Sequence, residues 1–153
     1  MKISAQEEYG LRCLLRLAAH ASDGVITVPE IAALEGLSAA YVEKLLRALS
    51  RAGLARSVRG TKGGYLLGRP ADHIKLGEVL RALGGMPQVQ LIYTRFTGDR
   101  AACVHYDNCG IRSVWSTAIH RMEQMLDQTR VSDLVHHDEL AVGRTLRRQA
   151  ASA

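Results

Sequence analysis

The sequence predicts a mainly α fold that carries one small β-hairpin and ends in a long helix. Three observations predict it. Apolar residues recur at helical spacing along the N-terminal third. Two of the helical segments there are joined by a Gly-containing turn of about three residues, the spacing of a helix-turn-helix. A basic, glycine-rich hairpin pattern follows directly, and far down the chain a long segment repeats an apolar stripe.

The first helix is predicted from about Ser4 to Ala21. Ser4 can cap it, Glu7 stands three residues on as in a capping box, and Leu11, Leu14, Leu15, Ala18 and Ala19 recur at helical spacing. Ser22-Asp23-Gly24 ends it, and Val25-Ile26-Thr27 is a short β-prone stretch. A second helix spans about Val28 to Glu35, with Pro29 in the first turn, where its missing N–H is no loss. Gly36-Leu37-Ser38 breaks it. Ser38 then caps a third helix that runs to about Ala52, with Val42, Leu45, Leu46 and Leu49 as its apolar face and Gly53 as its stop.

Residues 54–59 alternate apolar and polar as a strand does, 60–64 form a glycine-rich turn, and 65–67 form a second strand. A hairpin placed directly after a helix-turn-helix is a wing. Beyond Pro70 comes a short helix, about Leu76 to Leu83, stopped by Gly84-Gly85. Residues 86–110 show no clear period. A long helix follows from about Gly110 to Thr129, with Ile111, Val114, Trp115, Ala118, Ile119, Met122, Met125 and Leu126 on one stripe. So apolar a stripe needs a partner surface: a second copy of the chain, its own first helix, or both. The organisation read from this pattern is a winged helix-turn-helix over 1–84, a cysteine-containing sensor loop over 85–110 and a dimerisation helix region over 111–140. A basic, Ala-rich tail over 141–153 is expected to be disordered.

The bulk numbers agree with one compact head and an appended element: 153 residues, 47% hydrophobic, net charge +5. No run of about 18 apolar residues is present, and the first residues lack an apolar signal core, so a cytoplasmic protein is expected. The charge becomes informative through its clustering. From Lys44 to Arg69 the chain holds Lys44, Arg47, Arg51, Arg56, Arg59, Lys62 and Arg69, with no Asp or Glu between them. That is the electrostatic footprint of a phosphate binder, on the two elements expected to touch DNA. No nucleophile elbow, P-loop or dinucleotide fingerprint is present, so an enzyme is not expected.

The third helix is expected to enter the major groove with Ala39, Ala40, Tyr41, Glu43 and Lys44 towards the bases. Glu43 can accept from a cytosine amino group, or can pair with Arg47 four residues on; the sequence leaves both open. Arg59 on the wing is expected in the minor groove, with Gly60 and Thr61 beside it, while Arg47, Arg56 and Lys62 contact phosphate.

Three cysteines, Cys13, Cys103 and Cys109, make structural disulfides unexpected in a reducing compartment. Cys13 sits beside Leu14 and Leu15 and reads as core. Cys103 and Cys109 flank His105 and Asp107 in a polar loop. Thiols with imidazole or carboxylate suit iron or zinc, but two thiols do not complete a site.

Tyr41-Val42-Glu43-Lys44-Leu45-Leu46, Gly53-Leu54, and above all the Arg59-Gly60-Thr61-Lys62-Gly63-Gly64-Tyr65 wing resemble the IscR/NsrR/RirA family of bacterial regulators. Ile74-Lys75-Leu76-Gly77-Glu78-Val79-Leu80 and the two cysteines ahead of Trp115 match as well, so that the likeness covers about residues 1–135. The resemblance implies a homodimer on double-stranded DNA at a palindromic operator. It also implies, in many members, an iron–sulfur cluster, here a 2Fe–2S centre at the Cys103/Cys109 loop that senses redox state, iron or nitric oxide. In this family the position of Glu43 is linked to choosing between operator types.

The chain departs from the three-cysteine pattern: the first cysteine would fall near Thr97, and Arg112 stands where some members place a histidine. Glu8, at a place where some members use an acidic ligand, and His105 are the candidates to complete the site. Two alternatives remain for the sensor: a Cys103–Cys109 thiol/disulfide switch, or zinc or no effector at all.

A protein-interaction winged helix that binds no DNA is the competing function. Replacing Arg59→Ala separates the two: a DNA regulator loses operator binding in an electrophoretic shift assay, whereas a protein scaffold is indifferent to the change.

Overall fold

The computed structural model of the chain describes residues 3–60, 63–85 and 109–135. Its elements run α1 (Ala5–Ala19), α2 (Val28–Glu35), α3 (Ala39–Arg51), β1 (Ala55–Val58), β2 (Gly64–Leu67), a 3-10 turn (Ala71–His73), α4 (Leu76–Ala82) and α5 (Gly110–Gln128). Residues 131–135 are again helical. The fold is the mainly helical, winged arrangement that the sequence predicts, and the element bounds agree to within two residues.

Local chemistry sets the helix starts. Ser4 Oγ accepts the Glu7 N–H at 3.3 Å, and the Glu7 carboxylate accepts the Ser4 N–H at 2.7 Å, the reciprocal capping box expected from the sequence. A second box, between Thr27 and Glu30, starts α2 and was not anticipated. Bonds from the Thr27 hydroxyl and then from its backbone N–H hold the Glu30 carboxyl below the usual carboxylate range. Ser38 caps α3 through the Tyr41 N–H. Gly36, with φ at 66°, closes α2 in the left-handed region, where a Cβ is costly, so the helix-turn-helix turn depends on that glycine.

The core lies where α1, α2 and α3 meet. Leu14, Leu17, Ile31, Leu45, Leu46 and Leu49 are sealed from solvent there. Each such side chain contributes roughly 1.5–3 kcal/mol by leaving water. Glu35, whose side chain is 5% exposed, pairs with Arg16 and ties the end of α2 to α1. On the other side of α1, Gly10 lets α4 come close: an added Cβ would lie 2.5 Å from Leu83.

β1 and β2 pair antiparallel, with Ala55 opposite Leu67 and Val58 opposite Gly64. The β-prone stretch before α2 joins them through one bridge. Ile26 accepts the Tyr65 N–H at 2.8 Å and donates to the Tyr65 carbonyl at 3.1 Å. Leu54, placed in the strand by its alternation, instead donates its N–H to the Leu49 carbonyl at 2.9 Å and closes α3.

α5 packs chiefly on α4 rather than on the first helix, the intramolecular partner considered from sequence. Its C-terminal end is buried through Leu126, followed by Val131. The sensor loop except Gly85, Cys109 and Gly110, the tail, and Thr61 and Lys62 of the wing lie outside the described residues.

Cys13 is fully buried, and burial, with the Glu35 charge adding to it, pushes its thiol up to about 12 from an ordinary 9.0. In the folded protein Cys13 should therefore resist alkylation at pH 8 and react only after unfolding. A raised folded value means that the unfolded chain loses its proton first, so stability should fall between about pH 9 and 12. Urea titrations of wild type and Cys13→Ala across that range check this: the variant should lack that part of the alkaline decline.

Candidate nucleic-acid interface

α3 is two-faced. Val42, Leu45, Leu46 and Leu49 are buried, whereas Ala40, Lys44, Arg47 and Arg51 are exposed on the opposite side and Ala39 is exposed at the N-terminal end. Lys44, Arg47 and Arg51 stand three and four residues apart and so share that face. Arg51, part of the basic run read from the sequence but given no contact of its own there, is placed on this face by its spacing. Ala39 and Ala40, at the exposed N-terminal turn, leave room for a close approach of another surface.

Tyr41 is half-buried. Its ring meets that of Tyr9 edge to face, with centroids 6.3 Å apart and planes at 79°, which fixes the start of α3 against α1. Such pairs contribute about 0.5–1.5 kcal/mol beyond simple burial.

Glu43 and Arg47 form an ion pair at 2.6 Å on the exposed side. Both side chains are well solvated, so the pair stabilises the helix by only about 0.3–0.5 kcal/mol and is readily exchanged for another partner. The acid-free run of cations from Lys44 to Arg69 is thus less bare in space than along the chain. Arg47 finds Glu43 just before the run, and Arg69 finds Glu78 just after it. Lys44, Arg51, Arg56 and Arg59 have no acidic partner among the described residues.

Arg56 and Arg59 are exposed on the wing strand and at its tip. Gly60 follows with φ at 119°, a conformation that only glycine adopts without strain. At Gly64, the start of β2 passes so close to the Ile26 carbonyl that a Cβ would overlap it, so this glycine permits the bridge between the hairpin and Ile26. Ile26 thus holds β2 at Tyr65, towards the turn end of the hairpin, while Arg56 and Arg59 remain exposed.

At the start of α5, Cys109 is half-buried and caps the helix, its Sγ accepting the Arg112 N–H at 3.4 Å. Cys103 and His105 lie outside the described residues. Glu8 is exposed and paired with Arg12 at 2.8 Å. Among the described residues, no group of three or more His, Cys, Asp or Glu side chains could hold a metal ion. Of the two thiols among the described residues, Cys13 is sealed in the core and Cys109 is the half-buried one that such a centre could use.

The stripe on α5 is largely uncovered. Ile111, Val114, Trp115 and Met125 are each more than half exposed and Ala118 is exposed, whereas Ile119 and Met122 are half-buried and only Leu126 is fully buried. Among the described residues no helix is long and apolar enough to cross a membrane.

With this geometry in view, comparisons with known proteins are specific. The model of a family described as Rrf2, iron-dependent transcriptional regulators, matches residues 3–137. Protein rrf2 of Nitratidesulfovibrio vulgaris is 32% identical over 140 residues, which cover 92% of this chain and 91% of that protein. Among solved structures, IscR of T. potens superposes with a TM-score of 0.72 at 32% identity, covering 92% of this chain and 90% of that one. CymR, the global cysteine regulator of B. subtilis, gives 0.73 at 31% identity, with coverage of 90% and 98%.

Proposed function

Because the chain belongs to the Rrf2 family of transcriptional regulators, we propose that it is a homodimeric winged-helix regulator that reads a palindromic operator and is switched through its Cys103/Cys109 loop. The observation that carries the reading is the two-faced α3. Its apolar side is buried completely, and its other side exposes Lys44, Arg47 and Arg51, followed in the chain by the exposed wing arginines Arg56 and Arg59.

In this reading α3 lies in the major groove, with Ala39 and Ala40 allowing close approach and with Tyr41, Glu43 and Lys44 at base edges. Glu43 leaves Arg47 to accept from a cytosine amino group, and Arg47 turns to phosphate; the weak solvated pair makes that exchange inexpensive. Arg59 enters the minor groove from the wing tip, where Gly60 and Thr61 bring backbone close to the duplex. Arg56 and Lys62 neutralise phosphates and position the head without reading sequence. The exposed stripe from Ile111 to Met125 is covered by the same stripe of a second copy, which pairs two heads for two half-sites.

For the sensor we favour an iron–sulfur cluster, 2Fe–2S, with Cys103 and Cys109 as thiolate ligands and His105 or Glu8 completing the set. When bound, it supplies a group whose integrity responds to iron supply, oxidants or nitric oxide. The protein's part is to hold Cys109 at the head of α5, so that ligation at the loop bears on the dimer helix. Glu8 must first release Arg12, again a solvated pair of small cost. The count of thiols favours one further reading: with only two in the loop, Cys103 and Cys109 can lose two protons and two electrons to an oxidant and form a disulfide.

Anaerobic purification of wild type and Cys103→Ala, with an absorbance spectrum and iron and sulfide assays, decides between them. Visible bands with stoichiometric iron and sulfide, absent from the variant, are expected. Colourless, iron-free protein that still binds DNA contradicts the cluster and leaves the disulfide, which would appear as a reversible loss of two titratable thiols.

A further inference from the structure

Among the described residues, the contacts that tie α5 to the head gather at its C-terminal end. Its C-terminal end is stitched to the segment that leads into α4. The Leu76 N–H donates to the Thr129 carbonyl at 2.9 Å, the Val131 N–H donates to the Ile74 carbonyl at 2.9 Å, and Lys75 and Arg130 face each other across this antiparallel bridge. The Arg130 guanidinium donates to the Asp72 carbonyl. Val131 is sealed into the same core as Ile74 and Val79.

One turn further along α4, Arg81 pairs with Asp127 at 2.5 Å, 46 residues away in sequence. The pair closes over Gly77, where an added Cβ would overlap the Asp127 carboxylate. Gly77 is helical and needs no unusual backbone angle, so the demand for glycine here is one of space alone. At the opposite end of α5, Ile111, Val114 and Trp115 stand exposed.

We infer that the Arg81–Asp127 pair over Gly77 is the stiffening element of the joint between DNA-reading head and dimer helix, and thereby determines which half-site spacing the protein accepts. The inference rests on the dimeric DNA-binding reading above and assigns that reading its spacing determinant. The lever is long: 19 residues of helix span about 28 Å, so a turn of about 10° at the joint moves the far end by about 5 Å. That exceeds the rise of one base pair, about 3.4 Å, and an added base pair also rotates a half-site by about 35°. The two backbone bonds, the Arg130–Asp72 bond and the buried Leu126 and Val131 hold the end of α5 in place but leave its orientation open to small turns. An ion pair one turn away, outside their line, blocks that motion. It needs little intrinsic strength to do so, because it only has to make one orientation preferred.

The test selects a duplex for the wild-type protein from a randomised DNA library and then inserts or deletes one base pair between its half-sites. Wild type should lose at least about tenfold in affinity for either change. In Asp127→Asn, which keeps shape and removes charge, that penalty should shrink below about threefold, while dimerisation and Tm stay close to wild type. Gly77→Ala favours the helix but evicts the carboxylate, and should relax spacing in the same way. Exchanging the charges, Arg81→Asp with Asp127→Arg, should restore the penalty. Folded, dimeric Asp127→Asn and Gly77→Ala proteins that keep the full spacing penalty would overturn the inference and leave the regulator reading standing. A wild-type protein that selects no duplex would instead contradict the regulator reading itself.

Discussion

Val42, Leu45, Leu46 and Leu49 give up nearly all their surface to α1 and α2, and they can do so only if α3 turns one face wholly inward. The opposite face then has no choice but solvent, and it carries Lys44, Arg47 and Arg51. Most of the functional geometry follows from that burial. Gly36 sets the turn into α3, the Arg16–Glu35 pair fixes α2 behind it, and Leu54 closes its C-terminal end and leads straight into the wing. Loosening this packing would cost several side chains of roughly 2–5 kcal/mol each on truncation, a large share of the stability of any small domain.

Charge on the interface is graded rather than uniform. Arg47 and Arg69 are balanced by acids that lie just outside the basic run, whereas Lys44, Arg51, Arg56 and Arg59 face solvent without an acidic partner among the described residues. A solvated pair is worth a few tenths of a kcal/mol, far less than a contact to phosphate in a groove, so Glu43–Arg47 acts as a resting arrangement that DNA can reorganise. Of the two roles left open by the sequence, the free chain shows the ion-pair partner, and base reading is the role proposed for Glu43 on DNA.

Elements with short-range signals were legible in the sequence. Ser4 with Glu7, Pro29, Gly36, Ser38 and Gly53 mark helix ends because caps and left-handed turns act within four residues, and α2 falls where expected from Val28 to Glu35. Contacts that join distant segments were not. The Ile26–Tyr65 bridge joins segments on either side of α2 and α3, Arg69 finds Glu78 beyond the hairpin, and Arg81 meets Asp127 across 46 residues. The α5 stripe was visible as a stripe, but not the fact that its C-terminal end belongs to the head while Ile111 to Trp115 remain uncovered. Of the proposed sensor ligands, Cys109 has a structural role as a helix cap, and Glu8 pairs with Arg12 at the four-residue spacing of neighbours on a helix.

The central claim is that the α3–wing surface of a dimer grips duplex DNA through its cations. The most direct measurement is affinity for a selected duplex as a function of salt, for example from 50 to 300 mM. The account predicts a log–log slope of about −5 or steeper, equivalent to on the order of six phosphates neutralised by two heads. A slope near zero, or binding no tighter than to heparin of unrelated structure at every salt, would contradict it.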